Sequence, residues 1–153
     1  MNVIRRDEIH DHIGKEIPAT DWFTVTQEQI TQFADCTLDH QFIHVDEERA
    51  RETPFGSTIA HGLLSLSMLP YFAASFAYMI EGMTMGINYG FDKVRFLNPV
   101  KVNSRIRAHA KLIEFEEKKP GQFIFKTEVT IEIEGEAKPA LKAVWIAMQL
   151  TNA

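Results

Sequence analysis

The chain has a single cysteine, Cys36, in 153 residues. That excludes an intrachain disulfide and suits a reducing cytoplasm, the expected location. Basic residues are scarce as well: 16 Lys and Arg stand against 21 Asp and Glu, a net charge of −5. A nucleic-acid binder usually needs a basic face, so that class is set aside. A local basic patch for an anionic substrate is still allowed. The stretch from Met1 to Lys15 is rich in charge and has no apolar signal-peptide core. Internal repeats, low-complexity tracts and linkers are also missing, and residues 1–153 are expected to form one domain.

One further absence is local. Between Glu52 and Glu81 there is no Asp, Glu, Lys or Arg. Such a run is long enough to raise a membrane span. It contains His61, Pro70, Ser65, Ser67, Ser75 and the turn-like Pro54-Phe55-Gly56-Ser57, however. The rest of the chain reads as amphipathic sheet in need of an apolar partner. The segment is therefore expected to be a buried helix from Ala60 to about Ile80, kinked or interrupted at Pro70. Ser65 to Phe76 should be helical and mostly buried, and no membrane association is expected.

Around that helix the pattern is legible. Thr26 is placed to cap a helix over Gln27 to Cys36, with Gln29 completing a capping box. Cys36 reads as a small core residue at its end. Thr37 to Val45 reads as irregular, and Asp46 as the N-cap of a short helix whose first turn holds Glu47 and Glu48. Val102 to Phe115 and Phe123 to Ile133 alternate apolar and polar, and Leu141 to Leu150 is a third strand. Tyr89 to Leu97 is a fourth, and the segment near Thr24 a fifth. Short turns at Lys119-Pro120-Gly121 and at Gly135 to Pro139 make the neighbours antiparallel. The expected class is α+β: an antiparallel sheet wrapped around a long central helix. Pairing with a second copy would protect the sheet's edge.

The chemistry concentrates in two places. Residues 39 to 44 read Asp-His-Gln-Phe-Ile-His, and residues 60 to 62 read Ala-His-Gly at the start of the uncharged segment. Asp39 and His44 can both move a proton near neutral pH. A backbone N–H at Gly62, at the positive end of a helix, can face a developing oxyanion. Each residue also has a plainer reading. Asp39 after a helix could be a turn residue, His44 a structural hydrogen-bonder, and Gly62 a close-packing position. His40 and His44 are four apart, as in a zinc pair, but the glutamate of H-E-x-x-H is missing, so no metal is expected. Arg95, Arg105, Arg107 and Lys111 read as a solvated sheet face, with phosphate contact as the lesser alternative.

These motifs, with Val45-Asp46, Phe55-Gly56, Ile59-Ala60-His61-Gly62 and the run Val94-Arg95-Phe96-Leu97-Asn98-Pro99-Val100, resemble the MaoC-like dehydratases, or R-specific enoyl-CoA hydratases, in particular their NodN-like branch. The resemblance spans about Trp22 to Leu150. It implies the hot-dog fold, usually as a dimer, and hydration or dehydration of 2-enoyl thioesters to (R)-3-hydroxyacyl products. It places the family's catalytic Asp on Asp39, its His on His44 and its oxyanion-hole glycine on Gly62. Substrate contacts fall on Gln41, Ile59, Ala60 and His61. The chain departs from the family motif at Gln41-Phe42-Ile43, where Asn-Pro-Leu is usual, and Gln41 stands in for the Asn.

No cofactor is implied. Coenzyme A or an acyl carrier protein would enter as part of the substrate. His44 is assigned as the water-activating base and Asp39 as the acid, with the reverse left open because a coupled pair titrates as a unit. Two other functions compete. A hot-dog thioesterase would need a base on the long helix, yet residues 63–80 hold no acid or histidine. A non-catalytic hot-dog subunit of a heteromeric dehydratase could do without the Asp/His pair, which this chain keeps.

Overall fold

The computed structural model describes residues 2–152. The elements in chain order are β1 (Asn2–Ile4), a 3₁₀ helix (Arg6–His12), β2 (Glu16–Ile17), β3 (Phe23–Thr24), α1 (Gln27–Thr37), α2 (Phe42–Val45), α3 (Glu47–Arg51), α4 (Gly62–Ser67), α5 (Leu69–Phe76), β4 (Tyr78–Ile80), β5 (Met83–Phe96), β6 (Arg105–Lys119), β7 (Gln122–Ile133) and β8 (Leu141–Thr151).

Strand alternation builds the main sheet. Ile106, Ala108 and Ala110 are buried on β6, and Val129, Ile131 and Ile133 face the same core from β7. The strand order is β2-β6-β7-β8-β5, with β3 also paired to β6, and every pairing in this sheet is antiparallel. The β6–β7 register runs from Ile106↔Ile133 to Lys119↔Gln122, closed by a turn with Gly121 at φ +75. Leu64, Leu69, Phe72, Ala73 and Phe76 from α4 and α5 pack into the concave side against β6, β7 and β8. This sheet with helices packed against it is the hot-dog arrangement, α+β as expected.

The central helix is interrupted beside Pro70, as expected: it is two short helices with the break at Met68, and it ends at Phe76 rather than near Ile80. Pro70 has no N–H to donate to Leu66, so it is tolerated only in the first turn of a new helix, where it sits in α5. The chain then leaves the helix at Ala77 and enters β4, which pairs in parallel with β1. Burial is also one-sided. Ser65, Leu69, Phe72, Ala73 and Phe76 are buried, but Leu63 and Tyr71 are exposed at 59% and 58%. The expectation that Ser65 to Phe76 would be mostly buried holds only for the face on the sheet.

Other details also differ. Cys36 is exposed rather than in the core. Thr37 to Val45 is not wholly irregular, because its last four residues form α2. The charged N-terminal stretch folds. Its 3₁₀ helix seats Ile9 against Leu112, Phe123 and Phe125 in a second apolar cluster. Among the described residues β5 pairs only with β8, so its other edge is open. The strand also carries the exposed apolar side chains of Met85, Ile87, Tyr89, Phe91 and Phe96. Among the described residues no helix is long and apolar enough to cross a membrane.

Candidate active site

The turn after α1 sets up the site. The Thr26 hydroxyl accepts from Gln29 N at 3.3 Å, and the Gln29 side chain returns a bond to Thr26 N, the capping box that starts α1. The helix ends at Leu38, which adopts the left-handed conformation (φ 62) and turns the chain toward Asp39. The Asp39 carboxylate accepts from Gln41 N at 3.4 Å, an Asx-type turn into α2. Two residues of loop thus separate Asp39 from the helix that carries His44.

His44 is buried, at 6% exposure. The Gln27 side chain grips it from behind. Gln27 Nε2 donates to the His44 carbonyl at 2.8 Å, and Gln27 Oε1 accepts from the Thr58 hydroxyl at 2.5 Å. The ring itself is fixed by Ile59, whose carbonyl lies 2.7 Å from Nδ1. A carbonyl only accepts, so Nδ1 carries the hydrogen and Nε2 keeps a free lone pair. The His44 pKa lies below its ordinary value. Burial is the main cause and the neighbouring His61 adds to it, while the Ile59 carbonyl and Asp39 act in the opposite direction. His44 is therefore a neutral imidazole at pH 7 with an available basic nitrogen.

His61 stacks on His44, and its Nε2 lies 2.9 Å from the Asp39 carbonyl. By the same argument Nε2 is the donor there. The ring ties the backbone of one member of the pair to the ring of the other. Its Nδ1 is buried without a hydrogen-bond partner among the described residues. Asp39, His44 and His61 each offer one donor atom, all within 4.8 Å of one another. That spacing can admit a divalent ion, although two of the three are histidines stacked face to face rather than splayed around a centre.

Gly62 is the first residue of α4, so its N–H has no intrahelical acceptor. It borders a cavity of about 300 Å³, together with His44, Phe55, Ile59, Ala60 and Ser65. Phe96 and the turn Leu97 to Val100 close the other wall. A methyl group at Gly62 would lie 2.9 to 3.1 Å from the Phe96 ring. Glycine is therefore required for close approach, and the packing reading of this residue holds alongside any catalytic one.

The remaining sequence candidates fall in different places. Ile59 and Ala60 line the cavity. Gln41 is exposed at the start of α2 and is not part of the lining, while His61 lies buried beside His44. Of the basic set, Arg105 pairs with Glu134, Arg107 with Glu132, and Lys111 with Glu16 and Glu128. Arg105 and Arg107 also lie over the Trp22 ring. These three form the solvated, ion-paired face. Arg95 bonds only its neighbouring Val94 carbonyl. Sequence reasoning did not single out Gln27 and Thr58 behind His44, or Ser65 and Phe96 in the wall. Gln27 and Thr58 are 31 residues apart, and no local pattern joins them.

Comparison with known proteins gives the family and the fold. A family model described as "MaoC like domain" matches residues 8–136. Nodulation protein N of Rhizobium leguminosarum bv. viciae is 46% identical over 149 residues, covering 97% of this chain and 92% of that protein. 3-Hydroxyacyl-thioester dehydratase Z of Mycobacterium tuberculosis is 47% identical over 130 residues, 85% of each chain. Among solved structures, a monoamine oxidase regulatory protein from Archaeoglobus fulgius superposes with a TM-score of 0.77 at 29% identity, covering 100% of this chain and 98% of that one.

Proposed function

This chain belongs to the MaoC-like dehydratase family, and from that premise we propose that it interconverts 2-enoyl thioesters and (R)-3-hydroxyacyl thioesters by addition or loss of water. The observation that carries the reading is His44. It is buried, it is tautomer-locked by the Ile59 carbonyl so that Nε2 keeps its lone pair, and one of its ring nitrogens lies within 4.8 Å of an Asp39 carboxylate oxygen.

The chemistry follows from that arrangement. Asp39 and His44 hold one water between them. His44 Nε2 takes a proton from the water as its oxygen bonds to C3 of the substrate. The C2–C3 π electrons move to C2 and the thioester carbonyl, and charge builds on the thioester oxygen. The Gly62 N–H faces that oxygen, a contribution of about 3–4 kcal/mol for a donor of this kind. The proton taken by His44 passes to the Asp39 carboxylate and on to C2 from the same side, which resets the pair. Atoms balance as enoyl thioester plus water gives hydroxyacyl thioester. No metal or redox group takes part. Coenzyme A or a carrier protein is carried in with the acyl group.

The proposal includes a homodimer. β5 is a 14-residue edge strand with several exposed apolar side chains. Phe96 lies at its end and also forms the cavity wall, so covering this edge would finish the site as well as the sheet. The thioesterase alternative lacks a base on α4 or α5, whose residues include no acid or histidine. The non-catalytic-subunit alternative has no use for a locked, basic His44.

The test is the absorbance of the conjugated enoyl thioester, followed with crotonyl-CoA and longer enoyl-CoAs. Loss of the signal with formation of the (R)-3-hydroxy product is the expected result. If no enoyl thioester of any length is hydrated, on coenzyme A or on carrier protein, the non-catalytic reading replaces this one.

A further inference from the structure

Six polar side chains are buried among the described residues: Thr20, His44, Thr58, His61, Ser65 and Gln149. A buried polar group is normally hydrogen-bonded, and an exception calls for an explanation. Thr20 accepts from Ala108 N at 3.0 Å, Thr58 donates to Gln27, and Gln149 bridges Ile80 N and the Tyr78 carbonyl. Those three serve the fold. The capacity left over sits on His44 Nε2, His61 Nδ1 and the Ser65 hydroxyl. All three belong to the neighbourhood of one cavity.

Ser65 is the unexplained member. It is 4% exposed and borders the cavity with His44 and Gly62. A serine inside a helix commonly turns its hydroxyl back onto the carbonyl four residues earlier. Here only the Ser65 backbone does so, N to the His61 carbonyl at 3.3 Å, and the hydroxyl has no partner among the described residues. Yet among the described residues the one fully enclosed and unpaired side-chain atom is His61 Nδ1. The Ser65 oxygen therefore opens onto the cavity it lines. It follows Gly62 at i+3, which puts both on the same side of α4.

We propose that the Ser65 hydroxyl is a second donor to the thioester oxygen, beside the Gly62 N–H. The inference rests on the hydratase reading and names a further residue for that site. His44 and Asp39 come from the α1–α2 side and handle the water. Ser65 and Gly62 come from α4, so their donors reach a substrate atom on that side. A hydroxyl rotates freely about its C–O bond and can follow the oxygen as the bond to it lengthens. It is also neutral, so it stabilises the enolate without competing for the proton that C2 must receive.

Two measurements test this, on wild type, Ser65→Ala and Ser65→Thr. The first is calorimetric binding of butyryl-CoA and octanoyl-CoA against their S-alkyl thioethers, which lack the carbonyl oxygen. Wild type should favour the thioester. Ser65→Ala should reduce that preference about 3- to 10-fold, the scale of one hydrogen bond, with thioether binding unchanged. Ser65→Thr should restore it. The second is turnover of the enoyl thioester, where Ser65→Ala should lower kcat roughly 10²-fold, while KM rises by no more than the 3- to 10-fold seen in binding.

Equal loss of thioester and thioether binding would make Ser65 a packing residue and overturn the proposal. So would an alanine variant that keeps the preference and more than half of kcat. The binding comparison needs no turnover. A wild type that hydrates nothing defeats the hydratase reading, and the thioester preference still decides the role of Ser65.

Discussion

The His44 and His61 rings stack with centroids 3.7 Å apart and planes 24° apart. A second positive charge cannot be added cheaply at that separation. Each ring already donates from one nitrogen to a backbone carbonyl, His44 to Ile59 and His61 to Asp39. The lowered pKa of His44 and its bond to Ile59 hold that ring as the neutral Nδ1–H tautomer. The stack thus helps keep His44 a base, although burial is the larger cause of its lowered pKa.

A pH dependence follows. His44 titrates below the ordinary histidine value of 6.5. The acid limb of kcat/KM for hydration should therefore fall below pH 6.5, and activity should be level just above it. His61→Phe should move that limb upward only modestly, because it leaves the burial in place. A limb centred above 6.5 would contradict the neutral-base assignment.

The same shift acts on stability. The folded pKa is below the unfolded one, so between the two values the unfolded chain binds more protons. The contribution of His44 is then fully present above about pH 6.5 and is lost as pH falls through its lowered folded value. In urea melts from pH 7.5 down to 5, His44→Gln should remove part of the acid destabilisation. An unchanged pH slope would show that His44 is not shifted in the folded state.

How much of this was legible depends on the range of the interactions. Thr26 with Gln29, and Asp46 with Arg49, are caps within one turn, and both formed as the local pattern required. Alternation on β6 and β7 marked the core face because side chains there point in and out by turns. Asp39, His44 and Gly62 stood out through their spacing and residue types. The end of the helix did not. Ala77 to Ile80 is apolar with no glycine, proline or charge to mark a stop, and it becomes a strand by pairing with β1, as in Asn2 with Tyr78, far earlier in the chain. Cys36 was misplaced because its apolar character says nothing about which side of α1 meets the core. Ser65 was hidden for a similar reason, since one serine in an apolar helix looks like any other.

Gly62 supports a packing prediction distinct from its N–H. Gly62→Ala drives a methyl group into the Phe96 ring at 2.9 to 3.1 Å. The cavity wall must shift, and kcat should fall at least tenfold while the fold survives, since Phe96 is half exposed. Phe96→Leu in the same chain should recover part of the loss by making room. If the double variant is as poor as Gly62→Ala alone, the glycine is needed for some other reason than clearance from Phe96.

The open β5 edge predicts assembly. Sedimentation at micromolar concentration should give a dimer. Ile87→Lys or Tyr89→Lys, each placing a charge on an exposed apolar position of that strand, should shift it toward monomer. A wild-type monomer with full activity would count against both the dimer and its part in closing the site.

The spacing of Asp39, His44 and His61 predicts a response to metal. The hydration described above needs none, so prolonged dialysis against EDTA should leave activity intact. Activity that disappears with EDTA and returns with one divalent ion would mean that the cluster holds a functional metal, and the proton-transfer scheme would fail.

The central prediction concerns the pair itself. Asp39 is half exposed on a turn, so Asp39→Asn should fold normally. His44→Gln keeps a polar group near the Ile59 carbonyl and removes the basic nitrogen. Each change should lower kcat for hydration by a factor of roughly 10²–10⁴, the contribution of a positioned acid or base. The double variant should be little worse than the poorer single one, because both groups serve the same water and act as a unit. Thr37→Ala is the control. Its hydroxyl bonds only the Phe33 carbonyl within α1, at 2.7 Å, and its loss should leave the rate nearly unchanged. Multiplicative losses in the double variant would mean that Asp39 and His44 act in separate steps. Single variants that each keep more than half the wild-type rate would make both residues structural, and the water would have to be activated elsewhere.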